Sequence, residues 1–201
     1  MDGSLSRAQL LSRGARGGIG LVVTGSIAGS LAGRAEADVI PDSDLAYARL
    51  LVAAELLAAD FYGRAIAAKQ FEGAELRYLK RALFNEQEHY AAVAMILSGA
   101  GQVPAVAADI DFAYPKGSFA SRESIAALGV TLETVFLGAY LGAVGALGTL
   151  PLEQPLARIA ASEAQHLSVL TGVLGRNAVG ISFPDSLSID EASNALDAYT
   201  S

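Results

Sequence analysis

Two four-residue words constrain this chain more than any other feature: Glu86-Gln87-Glu88-His89 and Glu163-Ala164-Gln165-His166. Each sets a Glu three residues ahead of a His, which places both side chains on one face of a helix. They contain the only 2 histidines in the 201 residues. Two further acids complete a pattern. Glu55 lies 31 residues before Glu86, and Glu133 lies 30 residues before Glu163. In an antiparallel helical hairpin, residues at one height lie symmetrically about the turn. The midpoint of Glu55 and Glu86 falls between Gln70 and Phe71, just before Gly73, and that of Glu133 and Glu163 falls on Gly148, just before Pro151. Both midpoints therefore land on turn signals. The sequence predicts two hairpins, each bringing a lone Glu level with a Glu-x-x-His pair.

The remaining text agrees with a helical bundle. The chain is 52% hydrophobic, only 7% aromatic, and long enough for one domain with a sizeable core. The reading gives helix one from Leu45 to about Gln70, after an N-cap at Ser43 or Asp44. Helix two runs from Ala74 to Leu97, and helix three from Arg122 to Leu147 with Ser121 as cap. Helix four starts near Glu153–Pro155 and ends about Leu174. Residues 100–120, with Pro104, Pro115 and Gly117, form a crossover. Extended, it reaches about 65 Å, enough to pass along a bundle of about 36–40 Å. Helices two and three are thus expected to run parallel. Residues 177–201 read as a tail, with a short helix over Asp190 to Tyr199.

From Ile125 to Leu147 the only charged residue is Glu133. Such a run also fits a transmembrane helix, but an acid near its middle that repeats Glu55 favours a buried bundle helix. Gly138, Gly142 and Gly145 in this run, and Gly148 just after it, are expected to admit a close neighbouring helix.

The first 37 residues differ. Arg7, Arg13 and Arg16 precede a mild apolar run from Ile19 to Leu31, followed by Ala35-Glu36-Ala37. This is the layout of a secretory signal with a small-x-small cleavage site. The Gly-rich apolar core resembles twin-arginine signals, although no two arginines are adjacent, so the export route stays open. A retained anchor or a disordered arm are the alternatives, and the membrane is a partner only if the segment is retained. Mature protein is expected to begin near Asp38, in the periplasm, the cell envelope or the medium. A net charge of −7 argues against a nucleic-acid partner. The absence of cysteine removes thiol and zinc-finger chemistry. Oligomeric state is left open, a homo-oligomer included.

Four Glu and two His at one height suit two divalent cations, whose charge balances that of the carboxylates. Without metal, four carboxylates in a dry core repel, and their pKa values are expected to rise. Oxygen and imidazole donors suit iron or manganese and also accept zinc. The chain resembles the ferritin-like di-metal carboxylate superfamily over residues 44–175, on these two Glu-x-x-His words and two lone Glu. Within it, the signal and short tail resemble exported ferritin-like domain proteins related to plant desiccation-associated proteins. The resemblance implies an all-α, ferritin-like four-helix bundle over residues 38–176. It further implies that Glu86 and Glu163 bridge two metals, that Glu55 and Glu133 bind one each, and that His89 and His166 take one each. Tyr62 and Tyr140, each seven residues after a lone Glu, match family tyrosines that hydrogen-bond the carboxylates. Many members carry Asp just before the bridging Glu to orient a His, where this chain has Asn85 and Ser162. Two functions follow from the resemblance. One is an oxidoreductase acting on dioxygen, peroxide or ferrous ion. The other is a non-catalytic structural or stress protein that keeps the metal site.

Overall fold

The computed structural model describes residues 39–200; the signal segment expected over residues 1–37 lies outside them. Among the described residues there are five α-helices: α1 Asp42–Ala67, α2 Gly73–Gly99, α3 Arg122–Ala146, α4 Leu150–Val173 and α5 Ile189–Asp197. The turns between α1 and α2 and between α3 and α4 enclose both symmetry midpoints read from the sequence. α1 packs on α2 and α3 on α4; α1 also packs on α3, and α2 on α4. Arg122 at the start of α3 holds Glu75 at the start of α2 through two contacts of 2.6 and 2.9 Å, so these two helices run parallel. The 100–121 crossover, which includes a 3-10 turn at Ala107–Asp109, makes that connection. The result is the expected all-α bundle.

Burial follows from what covers each helix. α4 buries Leu152, Leu156, Ile159, Glu163, His166 and Leu170, a single stripe with alternating steps of four and three, as a helix covered on one side requires. α2 is similar, with Leu79, Ala82, Glu86, Val93 and Leu97. α1 and α3 are additionally covered by α5. This second cover explains why α3 carries almost no charge. It is long and apolar enough to cross a membrane, yet most of that stretch is buried within the bundle.

Three local expectations are corrected. α1 begins at Asp42 without a side-chain cap. The buried Asp44 carboxylate instead accepts the N–H groups of Gly148 at 3.2 Å and Thr149 at 2.8 Å, and so caps the start of α4 from across the bundle. α4 starts at Leu150, ahead of the expected Glu153–Pro155, because Pro151 takes the position near the N-terminus where a missing N–H costs nothing. The close neighbour at Gly138 and Gly142 is the tail, not a helix. The Leu187 N–H donates to the Gly138 carbonyl at 2.8 Å, and a Cβ at Gly142 would lie 1.8 Å from the Leu187 carbonyl oxygen. Gly145 faces open space. The tail helix starts on a Ser188–Glu191 capping box. Beyond it, the Tyr199 carbonyl accepts the Ala113 N–H at 2.8 Å, tying the tail to the crossover.

Gly142→Ala therefore has a diagnostic sign. Helix propensity alone would stabilise the change by about 1 kcal/mol, whereas the contact with Leu187 should cost about 1–3 kcal/mol. A lowered melting temperature and faster tryptic cutting at Arg176 are expected. An equal or higher melting temperature would show that the tail is not held at this point.

Candidate metal centre

Each helix of the bundle contributes one carboxylate at mid-length: Glu55 from α1, Glu86 from α2, Glu133 from α3 and Glu163 from α4, all at most 2% exposed. The histidines come from α2 and α4, one turn beyond Glu86 and Glu163. His89 Nδ1 lies 2.9 Å from Glu163 Oε1, 3.2 Å from Glu86 Oε2 and 3.7 Å from Glu55 Oε2. His166 Nδ1 lies 2.8 Å from Glu86 Oε1, 3.5 Å from Glu163 Oε2 and 3.7 Å from Glu133 Oε1. The six side chains sort into two overlapping groups. Glu55, Glu86, His89 and Glu163 place donor atoms within 4.8 Å of one another, and so do Glu86, Glu133, Glu163 and His166. Glu86 and Glu163 belong to both.

The donor set fits divalent-cation binding. Metal–ligand distances of about 2.0–2.2 Å allow donors around one ion to stand up to about 4.4 Å apart, close to the spread of each group. Glu55 Oε2, Glu86 Oε1, Glu133 Oε2, both oxygens of Glu163 and His166 Nδ1 make no hydrogen bond outside the centre and are left to face one another within it. Buried polar atoms need partners, and here four helices supply them only from the cluster itself, so their free lone pairs converge on one space.

The surrounding groups hold the donors in place. Tyr62 donates to Glu133 Oε1 and Tyr140 donates to Glu55 Oε1. Each tyrosine thus serves the lone Glu of the opposite hairpin; Glu55 is left with Oε2 toward His89, whereas Glu133 Oε1 meets both Tyr62 and, at 3.7 Å, His166. The Asn85 amide meets His166 Nε2 at 3.2 Å. Ser162, at the equivalent place on α4, makes no hydrogen bond to His89. Tyr78 was not legible as part of the site. Its hydroxyl lies 3.1 Å from that of Tyr62 and donates to the His166 carbonyl at 3.2 Å. The available signal was its place in the stripe Tyr78, Ala82, Glu86, at steps of four along α2. Glu88 is exposed and takes no part.

The electrostatics depart from simple repulsion. Burial pushes Glu55 and Glu133 well above the ordinary carboxylate range, reinforced by the charges of Glu86 and Glu163. Glu163 goes the other way. Burial alone would raise it, but contacts with His166 and His89 hold it at about 2. Burial would likewise lower both imidazoles, yet the carboxylates around them win and raise His89 to about 12 and His166 to about 9. The expectation that all four carboxylates are raised is thus corrected. Glu163 stands between the two imidazolium groups and is stabilised as an anion.

A family model described as a ferritin-like domain matches residues 43–176. The chain belongs to this ferritin-like family. The matched span covers the four bundle helices, all but the first residue of α1, and includes the six clustered Glu and His residues. No curated protein matches the chain. The ferritin-like fold and the carboxylate–histidine cluster together support divalent-metal binding by this chain.

Proposed function

We propose that this ferritin-like protein holds two divalent ions, iron or manganese with zinc also accommodated, and works as an exported oxidoreductase. The observation that carries the two-ion reading is the sharing of Glu86 and Glu163 by both donor groups. Glu86 and Glu163 would bridge the ions. Glu55 and His89 would complete one position, and Glu133 and His166 the other. When bound, iron or manganese supplies electron exchange with dioxygen, peroxide or ferrous ion. The chain's own residues supply the positioning: Tyr62 and Tyr140 fix the terminal carboxylates, and Asn85 orients His166. Both imidazoles are protonated in the metal-free centre near neutral pH and release those protons as ions enter. Export is supported by the arginine-rich start, the apolar run and the Ala35-Glu36-Ala37 site.

A second reading, a metal-stabilised structural or stress protein without catalysis, is favoured by the enclosure of the centre. All four carboxylates are at most 2% exposed, so a small oxidant has little direct access. Metal analysis of purified protein, followed by peroxide and ferrous-oxidation assays, separates the two. The oxidoreductase reading expects about two ions per chain and turnover that is lost in Glu86→Ala. Two ions without turnover would leave the structural reading, and no bound metal would refute both.

A further inference from the structure

The two donor groups are chemically identical. Each consists of Glu86, Glu163, one terminal Glu held by a tyrosine, and one His. Any inequality between them must therefore come from what holds the imidazoles, and there the two-fold symmetry of the hairpins breaks in two places. His166 meets the Asn85 side-chain amide at its far nitrogen, with Asn85 Nδ2 3.2 Å from Nε2. Its ring is flanked by Tyr62 and Tyr78 at 5.8 and 6.3 Å, and its carbonyl accepts from Tyr78. Its side chain is 4% exposed. His89 has none of these supports. No described residue bonds its Nε2, its one ring neighbour is His166 at 6.3 Å, and its side chain is 13% exposed. The hairpin repeat places Ser162 where Asn85 stands and Pro155 where Tyr78 stands. The first is too short to reach the ring, and the second has no hydroxyl.

We propose that the two ion positions are unequal, with Asn85 as the positioning residue: the Glu133/His166 position fills first and tightly, and the Glu55/His89 position binds weakly and exchanges its ion with solvent. This rests on the two-ion reading above. A ligating imidazole binds through Nδ1 here, so its Nε2–H needs an acceptor. The Asn85 amide oxygen provides one for His166 once the amide is turned toward it. Such an outer partner fixes the ring and raises its basicity, and its loss typically costs about 10–100-fold in metal affinity. His89 must be ordered by the ion itself, with water on its far nitrogen. The weak position is also the more solvent-exposed one, so it offers the route by which an ion enters or leaves.

The test is a Co²⁺ titration of the metal-stripped full chain, followed by calorimetry and by the visible spectrum of the bound ion. Two steps separated by at least about tenfold in Kd are expected in the wild type. Asn85→Ala should weaken the first step by about 10–100-fold, and Asn85→Asp, which restores an acceptor, should recover it. Ser162→Asn should tighten the second step and narrow the gap. A thermal melt of each variant confirms that it is folded. Two equal steps in the wild type, or an Asn85→Ala variant that loses the second step and keeps the first, would overturn the inequality. Failure of the underlying reading looks different: no Co²⁺ uptake, or uptake unchanged in Glu86→Ala.

Discussion

Added Mn²⁺, or Fe²⁺ without oxygen, should raise the melting temperature of the stripped protein, and Glu86→Ala should abolish most of that rise. An ion that binds only the folded state stabilises it by about 2.7 kcal/mol at a hundredfold excess over Kd. For a chain of this size each kcal/mol is worth about 2–4 °C, so one ion contributes roughly 5–10 °C and two contribute more. Ions held by these donor groups would crosslink the hairpins, since Glu55, Glu86 and His89 come from one and Glu133, Glu163 and His166 from the other. Glu86 belongs to both donor groups, so its loss damages both positions; Glu55→Ala damages one and should retain part of the shift. The informative quantity is the metal-induced shift within each variant. Removing Glu86 relieves its repulsion of Glu55 and Glu133 but also takes away the nearest partner of His166, so the metal-free proteins differ at the outset. Equal metal-induced shifts in wild type and Glu86→Ala would place the ions elsewhere on this acidic chain.

Why the centre was legible while its surroundings were not is a matter of range. Glu-x-x-His spacing and symmetry about a turn need only helices and turns, which local sequence encodes. Hence Glu55, Glu86, His89, Glu133, Glu163 and His166 could be brought together from their numbers alone. Asp44 shows the opposite case. Locally it reads as a cap for its own helix, but its partners Gly148 and Thr149 stand more than a hundred residues away, and no local rule points there. The α3 glycines were read as a helix-packing stripe. The segment that occupies Gly138 and Gly142 is an irregular tail around Leu187, which carries no periodic signal.

Tyrosine partners were half legible. The seven-residue offset put Tyr62 and Tyr140 on the faces of Glu55 and Glu133. Which carboxylate each reaches depends on the antiparallel packing of α1 on α3, which crosses the pairs. The charge state was less legible still. Composition counts four acids and two histidines, but only the fold reveals that Glu163 sits between both imidazoles while Glu55 and Glu133 each meet one. That arrangement turns a uniform repulsion into a set of opposed shifts, with a measurable consequence.

The metal-stripped protein should melt highest near pH 5 and lose stability steadily toward pH 9. Glu55 and Glu133 have folded pKa values raised well above 4.5 by burial. The fold holds protons that the unfolded chain releases, so their contribution is complete below pH 4.5 and is lost as pH rises. His89, raised to about 12, and His166, raised to about 9, contribute fully below their ordinary 6.5. Their stabilisation is lost as pH climbs through 9 and beyond. Glu163, held at about 2, has the opposite sign. Its contribution is complete above pH 4.5 and is lost as pH falls toward 2. Glu163 loses its contribution below about pH 4.5 and the raised carboxyls lose theirs above it, so the maximum lies near pH 4.5–5, and the histidines steepen the decline above 6.5. Metal inverts the slope, because an ion must displace the protons of both imidazoles and of the raised carboxyls, and this becomes easier with every unit of pH. The gap between melting temperatures with and without Mn²⁺ should therefore widen from pH 5 to pH 8. A stripped protein whose melting temperature is flat or rises from pH 5 to pH 9 would mean that the histidines are not charged between the carboxylates. A gap that narrows with pH would mean that the ions do not compete with those protons and bind outside this cluster.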